Sequence, residues 1–362
     1  MIKKIFRVAI LTGLSLSAMA GNPDRAGGSG ATQLLINPYG RSAGLMGANT
    51  AGIRGVEAMH FNVAGLAYAE NIELSASSVV YLQGTDIFLN NGSVAIPLGN
   101  GTGNVLGISF SAMQFGSIPV TTESQPDQTL GTYSPQVINL GFAYGKKFSN
   151  SITAGVLIRY ISEGLTNVTA QGIAADVGVQ YQTALNPKDK IKKEDFRFGI
   201  GVRNLGTDML YSGSGLSFRS INSNTGADRR ALFAADRYNL PALVNIGAGY
   251  DVRLDKNPDE YFHRLTLSGN FNYNAFANNI VNMGVEYAFK ETFMIRGGYS
   301  WQEDNSTKDF RTQYYGLAGG VGFQLPITAS GTQLGIDYSY APTRVFNGVH
   351  NVTLHLTIGG KK

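Results

Sequence analysis

The chain alternates apolar residues with polar or small ones in fourteen segments, and a turn follows each segment. In the segment that begins at Pro241, Val244 and Ile246 fall on one face, whereas Asn245 and Gly247 fall on the other. A period of two over this length indicates strands with one apolar face. Strands of soluble proteins average about 5–6 residues, whereas a tilted strand needs about 9–11 residues to cross a bilayer core. The fourteen segments are residues 71–82, 87–98, 104–114, 136–147, 151–162, 170–182, 196–206, 240–253, 261–274, 279–289, 292–301, 312–325, 331–340 and 348–359.

An even number of long antiparallel strands is typical of an outer-membrane barrel. After Gly21 the chain has no stretch of about 20 apolar residues that could form a membrane helix, and no helical segments are available to cover fourteen apolar faces. The alternative is a soluble β-sandwich or propeller, but repeats of blade length are missing. The sequence therefore predicts an all-β fold, an antiparallel transmembrane β-barrel of about fourteen strands over residues 71–362, in the outer membrane of a Gram-negative bacterium.

The first twenty residues have the pattern of a secretory signal peptide. A basic start is followed by a short apolar stretch and by the Ala18-Met19-Ala20 cleavage pattern. We therefore predict that residues 1–20 are removed after export. The net charge of +4 includes three positive residues of this segment, so the mature chain is close to neutral. Binding to nucleic acid has no electrostatic support in such a chain, and the predicted surroundings are outer-membrane lipid.

The joints between predicted strands alternate between tight and long. Tight joints lie near Gly101, Ser149, Glu291 and Thr328, whereas residues 115–135, 207–239 and 302–311 form long joints. Outer-membrane barrels have short periplasmic turns and long external loops. With both termini on the periplasmic side, each of these tight joints falls on that side.

The longest joint, residues 207–239, mixes arginines with exposed apolar side chains. Exposed aromatic residues and Arg are enriched at protein interfaces, so this joint is a candidate partner loop. The alternative is a solvated loop that folds over the barrel mouth. The candidate contact residues are Arg229, Arg230, Leu232, Phe233 and Arg237.

The inward face of the predicted barrel carries both signs of charge. One interpretation is an ion- or solute-selective pore lining. The other is a set of paired charges that brace the wall and a plug, which the high cost of unpaired buried charge favours. The predicted inward charges are Arg159, Asp176, Arg203, Asp251, Arg253, Glu286, Arg296 and Asp337, with Arg197 and Arg264 on the same face.

Residues 21–70 precede the first strand and show no sustained alternation. A barrel of fourteen strands encloses a lumen that its own side chains do not fill, and this small-residue segment could occupy it. We predict that residues 21–70 form an N-terminal plug, or hatch, with Asn62 in a tight turn. The alternative is a disordered leader, against which apolar anchors argue: Leu34, Leu35, Ile36, Met46, Ile53, Met59, Phe61 and Leu66.

The segment "NPYGRSAGLMGANTAGIRGVEAMHFNVAGLAYAE" resembles the N-terminal signature of the PorV/PorQ family, relatives of FadL-type outer-membrane barrels. The family has a proline where this chain has Val63. "GVRNLG" at residues 201–206 and the C-terminal segment from Asp337 also look like family segments. The matching plug-motif residues are Arg41, Gly47, Ala48, Asn62, Ala64, Gly65 and Leu66.

The resemblance implies a non-enzymatic component of type IX protein secretion or surface attachment, as found in Bacteroidota. Its implied partners are a SprA-like translocon, sortase or attachment proteins, and the C-terminal domains of cargo. The FadL side of the resemblance implies a different function, a channel for hydrophobic or small solutes. The spacing of residues in this sequence does not distinguish the secretion role from the channel role. The four histidines show no metal-binding spacing, so the sequence predicts no catalytic, cofactor or metal site.

Overall fold

The computed structural model describes most of the chain. The described residues are 25, 27–99, 101–124, 126–185, 195–221, 226, 228–255, 262–302, 316–328, 331–344 and 346–359. Outside this set lie the predicted signal peptide, residues 186–194 between two predicted strands, and residues 303–311 of one predicted long joint.

Fourteen antiparallel strands close into a barrel, in the order β1-β18-β17-β16-β15-β14-β13-β12-β9-β8-β7-β6-β3-β2. The predicted fold class is confirmed. The barrel strands are β1 (Ile72–Tyr81), β2 (Ile87–Pro97), β3 (Asn104–Gln114), β6 (Gln136–Lys147), β7 (Ile152–Leu165), β8 (Val168–Thr183), β9 (Phe196–Gly206), β12 (Leu243–Arg253), β13 (His263–Asn274), β14 (Ile280–Phe289), β15 (Phe293–Gln302), β16 (Gly316–Pro326), β17 (Gln333–Ala341) and β18 (Val349–Ile358).

Two short hairpins lie outside the barrel wall, within the joints that follow β3 and β9. The first pairs β4 (Ile118–Val120) with β5 (Gly131–Tyr133), and the second pairs β10 (Ser217–Ile221) with β11 (Asp228–Leu232). The barrel itself closes where β1 pairs with β18, from Ile72 opposite Ile358 onward. Because every strand edge is then paired, the backbone is satisfied inside a bilayer.

The two faces of the wall reverse the polarity of a soluble protein. Val156 and Ile246 point outward and are 49% and 40% exposed, whereas their neighbours Thr153 and Asn245 are buried. An outward apolar band with a polar interior is the pattern of a transmembrane barrel. Among the described residues, no helix has the length and apolar character to span a membrane.

The two ends of the barrel differ in their connections. At one end, the turn end, β14 joins β15 through Lys290 and Glu291, which both take left-handed backbone angles of φ 53° and 49°. At the other, the loop end, residues 207–242 join β9 to β12. The four predicted tight joints all lie at the turn end, and the joints that follow β3 and β9 are long and lie at the loop end. The alternation is incomplete, because only Thr166 and Asn167 join β7 to β8 at the loop end.

The first described residues do not lie on the side of the barrel where both termini were expected. The backbone N–H of Gly30 donates to the carbonyl of Asn239, and Ser29 forms a β-bridge with the same residue, at the loop end. The chain then runs through the barrel and enters β1 at the turn end, beside the end of β18. The two ends of the described chain thus lie at opposite ends of the barrel, because the N-terminal residues pack on the long loop.

Candidate functional site: the barrel lumen and the loop end

Residues 27–69, here called the N-terminal segment, pack against the inward face of the wall. Their apolar side chains enter three buried clusters with the wall, and the largest of these includes Val105 and Leu157. Of the eight predicted apolar anchors, six are buried, Met46 is half-buried and Leu35 is 41% exposed. The segment contains two short helices and three 3₁₀ turns: α1 (Gly40–Gly44), α2 (Ala58–Phe61), Thr32–Leu35, Gly55–Glu57 and Val63–Tyr68.

Asn62 caps the turn that leads toward β1. Its side-chain oxygen accepts from the N–H of Ala64 at 3.2 Å, and its Nδ2 donates to the carbonyl of Val179 on β8 at 3.2 Å. Ala64 and Leu66 are fully buried, and Gly65 lies against the carbonyl of Ile53. One asparagine therefore both forms the turn and attaches the segment to the wall.

The wall opposite this turn has room only for glycine. A Cβ at Gly178 would lie 2.0 Å from Asn62 Oδ1, and a Cβ at Gly155 would lie 2.5 Å from the carbonyl oxygen of Val63. Such distances exclude a side chain without movement of the backbone. The close fit between segment and wall thus depends on small residues from both.

The other half of the motif forms a second attachment. Ala48 is fully buried, and the chain turns at Met46 and Gly47, with φ of 52° and 72°. Arg41 donates to both carboxylate oxygens of Glu286 on β14, at 3.2 and 3.1 Å. A bidentate Arg–carboxylate pair combines strength with fixed geometry.

Glu286 is the centre of the largest ion-pair network among the described residues. It also accepts from Arg264 at 3.1 Å and from Arg296 at 2.7 Å. Arg264 and Arg296 extend the network to further carboxylates on neighbouring strands and turns: Asp251, Glu291 and Asp337. Asp251 in turn pairs with Arg197, and Arg253 lies half-buried opposite Arg264.

A second network lies nearer the loop end. Arg159 pairs with Asp176 at 2.9 Å, and Arg203 donates to the carbonyl of Leu34 at 3.2 Å. His60 contacts the same guanidinium through Nε2. Removal from water and the nearby charges of Arg203 and Arg159 lower the pKa of His60 well below its usual range.

A cavity of about 410 Å³ remains between the N-terminal segment and strands β12 to β18. Leu35, Met46 and Phe61 line it from the segment, and Asn245 and Asn282 line it from the wall. The segment therefore fills the lumen incompletely on this side.

The long loop is fixed at its base by Glu163 of β7. Tyr211 and Tyr238 both donate to Glu163 Oε2, at 2.7 and 2.9 Å, and Gln33 donates to Oε1 at 2.9 Å. Burial together with the Glu163 charge raises the pKa of Tyr211 to about 12 and raises that of Tyr238 further. Both hydroxyls therefore remain hydrogen-bond donors at neutral pH.

The tip of the same loop is exposed. Leu232 and Phe233 are 69% and 62% exposed, and the Phe233 ring lies 4.4 Å from that of Phe218 between centroids. Arg229, Arg230 and Arg237 are exposed as well. The predicted contact residues are thus all exposed, four of them within or directly after β11 and Arg237 nearer the base of the loop.

Sequence reasoning missed Glu57, Glu73, Glu163 and His355. His355 Nε2 lies 3.4 Å from Glu57 Oε1 and 3.1 Å from Asp337 Oδ2. Glu73, Glu163 and His355 do fall on the inward faces of their strands, so an inward charge was a usable signal. Glu57 carried no periodic signal, because it lies in the N-terminal segment.

A sequence model of one protein family matches residues 126–357, which is more than half of the chain. The family is described as "Type IX secretion system membrane protein PorP/SprF". The chain belongs to this family. The family match therefore shows that the chain is a membrane protein of type IX secretion, as the sequence resemblance implied. The assignment to the PorV/PorQ family remains a prediction. The residues that match the family model begin after the plug motif. A search of curated proteins finds no significant match.

Solved structures with the same fold include hydrocarbon channels. A TodX deltaS2S3 mutant, described as a monoaromatic hydrocarbon channel, has a TM-score of 0.55 and 12% identity over 88% of this chain and 98% of its own. The Pseudomonas putida toluene transporter TodX has a TM-score of 0.52 and 12% identity, with coverages of 89% and 97%. A Pseudomonas aeruginosa FadL homologue has a TM-score of 0.50, 12% identity and the same coverages. At this identity the similarity shows the fold alone. Family and fold together make this chain an outer-membrane barrel of type IX secretion.

Proposed function

We propose that the PorP/SprF-family barrel is a docking component of type IX secretion, with a permanently plugged lumen and a partner-binding loop end, and that it has no enzymatic activity. The observation that carries the proposal is the attachment of the N-terminal segment to the wall along its length. Arg41 pairs with Glu286, Asn62 bonds to Val179, and the N–H of Gly40 donates to Thr353 at 2.8 Å. Secreted protein would then cross the membrane through a different molecule.

Withdrawal of the segment would be costly. Glu286 would lose one of its three guanidinium partners, and the apolar clusters would be exposed to water. The Arg41 side chain is 37% exposed, so loss of this pair costs less than the ~3–5 kcal/mol of a fully buried pair. Each buried apolar side chain adds about 1.5–3 kcal/mol. These costs favour a plug that stays in place during secretion.

The β10–β11 hairpin is the proposed docking surface. Its exposed Leu232 and Phe233 lie beside Arg229 and Arg230, and aromatic residues and Arg are enriched at protein interfaces. The partners we propose are a SprA-like translocon, attachment proteins or cargo C-terminal domains, in a role like that of PorV or PorQ.

The test is replacement of residues 213–236 by a short Gly/Ser linker, followed by co-purification of partners in mild detergent. We expect normal membrane insertion and loss of secretion partners. Replacement of residues 121–130, the tip of the other exposed hairpin, is the matched control and should retain them. Retention of all partners by the 213–236 replacement would rule out this docking surface.

The docking surface must also face the cell exterior. Gly27 lies at the loop end and Glu70 at the turn end, and both are exposed. A cysteine at Gly27 should react with an impermeant maleimide on intact cells, whereas a cysteine at Glu70 should react only after permeabilisation. The reverse pattern would put the loop end in the periplasm.

The second candidate function is passage of small apolar solutes, and the cavity of about 410 Å³ favours it. Cavities of about 300–1,000 Å³ are the usual size of ligand sites. A permanent plug predicts no lasting conductance in planar bilayers. Stable open-channel current from the purified wild-type barrel would favour the solute channel instead.

A further inference from the structure

Three side chains from separate parts of the chain converge inside the barrel. Glu57 belongs to the N-terminal segment, Asp337 to β17 and His355 to β18. One nitrogen or oxygen atom from each lies within 4.8 Å of the other two. The cluster links the segment to the wall and is not used by the docking role.

From this cluster we infer that Glu57, Asp337 and His355 form a binding site for a divalent transition-metal ion such as Zn²⁺ or Mn²⁺. The His355 Nε2 distances to Glu57 Oε1 and Asp337 Oδ2 are 3.4 and 3.1 Å. Two ligands that each lie about 2.0–2.2 Å from a tetrahedral zinc are about 3.3–3.5 Å apart. The donor atoms thus have nearly the spacing that one shared ion requires.

The remaining oxygen atoms of the carboxylates are held by hydrogen bonds. Ser42 Oγ donates to Glu57 Oε2 at 3.0 Å, and Arg296 Nη1 donates to Asp337 Oδ1. Outer partners of this kind orient metal ligands in known sites. Each carboxylate therefore keeps one oxygen directed at His355.

The carboxylates around His355 share their cations with Glu286. The charge of Arg41 reaches Glu57 and Asp337, but Arg41 is paired with Glu286. Glu73 interacts electrostatically with Glu57 and His355, and among the described residues it forms no ion pair. His355 is the single ion-pair partner of Glu57 in the same part of the chain, and Asp337 shares Arg296 with Glu286. Buried carboxylates need a counter-charge, and a divalent ion would supply more than a protonated histidine does.

Ser75 adds a polar atom at the same place. It lies directly across from His355 in the pairing of β1 with β18, and cross-strand neighbours have Cβ atoms about 4.5–5.5 Å apart. The residue is 6% exposed, and within the described residues its hydroxyl has no hydrogen-bond partner. His355 keeps 23% of its side chain exposed, so the site remains accessible to ions.

Bound metal would clip the N-terminal segment to β17 and β18. A ligand that binds only the folded, docked state raises stability by mass action. The site would therefore make the plug more permanent, but its existence does not depend on the docking role.

The test is metal titration of the full chain in detergent, purified without a polyhistidine tag and stripped with a chelator. Calorimetry with Zn²⁺, and electron paramagnetic resonance with Mn²⁺, should report one site per barrel, and the melting temperature should rise with metal. His355→Gln and Glu57→Gln should each weaken binding at least tenfold, since each removes a direct ligand. Ser42→Ala should weaken it by about 10–100-fold, as loss of an outer partner does.

The matched control is His350→Gln, which removes an imidazole that bonds to Tyr338 and Gln83 and lies outside the cluster. It should bind metal like the wild type. Heat-modifiable mobility on gels verifies that each variant is folded, and Glu57→Gln, which leaves the wall intact, serves if His355→Gln does not fold. Absence of a stoichiometric site in the wild type, or equal affinity in His355→Gln and His350→Gln, would overturn the inference and leave His355 as a protonated bridge between two acids.

Discussion

The N-terminal segment and the β10–β11 hairpin are two long parts of the chain outside the spanning strands, and they have opposite surroundings. Phe61 in the segment is 8% exposed, whereas Phe233 beside the hairpin is 62% exposed. The charges of the segment reach wall carboxylates, as Arg41 does, whereas the hairpin arginines face solvent. The N-terminal segment is held by buried contacts with the wall, whereas the hairpin presents exposed side chains that a partner could bury.

The ion pairs of the two regions differ in the same way, because those in the lumen are buried and the one on the hairpin is exposed. Glu286 and Arg296 are nearly inaccessible, with side chains 2% and 1% exposed, whereas Arg219 and Asp228 pair on the hairpin at 75% and 47%. Exposed pairs contribute about 0–1 kcal/mol. The lumen charges therefore determine how firmly the segment is held, and the hairpin pair does not.

The largest expected effect is on Glu286. Glu286→Ala leaves the buried Arg264 and Arg296, and the partly exposed Arg41, without their shared carboxylate. We expect it to lower the free energy of unfolding by about 3–5 kcal/mol, measured by denaturant titration in lipid or detergent. Asp228→Ala is the control and should cost about 0–1 kcal/mol. Equal losses for the two variants would contradict the assignment of Glu286 as the centre of the network.

A matched pair of phenylalanines tests the comparison directly. Phe61→Ala should cost about 3 kcal/mol, since it deletes a buried ring that packs in the lumen. Phe233→Ala should change stability by about 0.5 kcal/mol or less but should reduce co-purification of partners. The idea of two distinct roles fails if Phe61→Ala is neutral or if Phe233→Ala destabilises the barrel to the same extent.

The wall gives a third contrast, between its lipid-facing and inward faces. Val156→Arg places a charge on the outward band and should cost about 2–4 kcal/mol near the bilayer midplane. Thr153→Val on the same strand should cost much less, because Thr153 faces inward and its hydroxyl has no partner among the described residues. Similar costs for both changes would show that the face assignment is wrong.

The smallest effect concerns pH. Since the pKa of His60 is lowered in the docked state, its contribution to stability is present above the unfolded pKa of about 6.5 and is lost as pH falls below it. The melting temperature should therefore fall between pH 7.5 and 5, and His60→Gln should reduce this fall. An unchanged pH dependence in the variant would exclude His60 as its source.

The sequence predicted the wall well because period-two alternation identifies both a strand and its outward face. The predicted segment 104–114 coincides with β3, and 151–162 falls short of β7, which ends at Leu165. The β4–β5 and β10–β11 hairpins were not predicted, since strands of three to five residues carry too few alternations.

The contacts of the lumen could not be predicted in the same way. The pairing of Glu57 with His355 joins residues almost 300 positions apart, and it depends on barrel closure together with docking of the N-terminal segment. The position of the N-terminus at the loop end depends on Asn239 and Tyr238 in the long loop. No local pattern in residues 21–36 carries that information.

The central claim is that the N-terminal segment stays in the lumen while the barrel works. Ala48 is fully buried, and a Cβ at Gly284 would lie 3.1 Å from the Ala48 Cβ. Cβ atoms of disulfides are about 3.5–4.5 Å apart, so cysteines at these two positions can be joined with a small adjustment. The chain has no cysteine of its own, so the cross-link is specific, and each single-cysteine variant is a control. The measurement is export of type IX cargo by cells that carry the oxidised Ala48→Cys/Gly284→Cys barrel. We expect export equal to that of the single-cysteine controls, whereas export that stops on oxidation and returns with reductant would contradict a permanent plug.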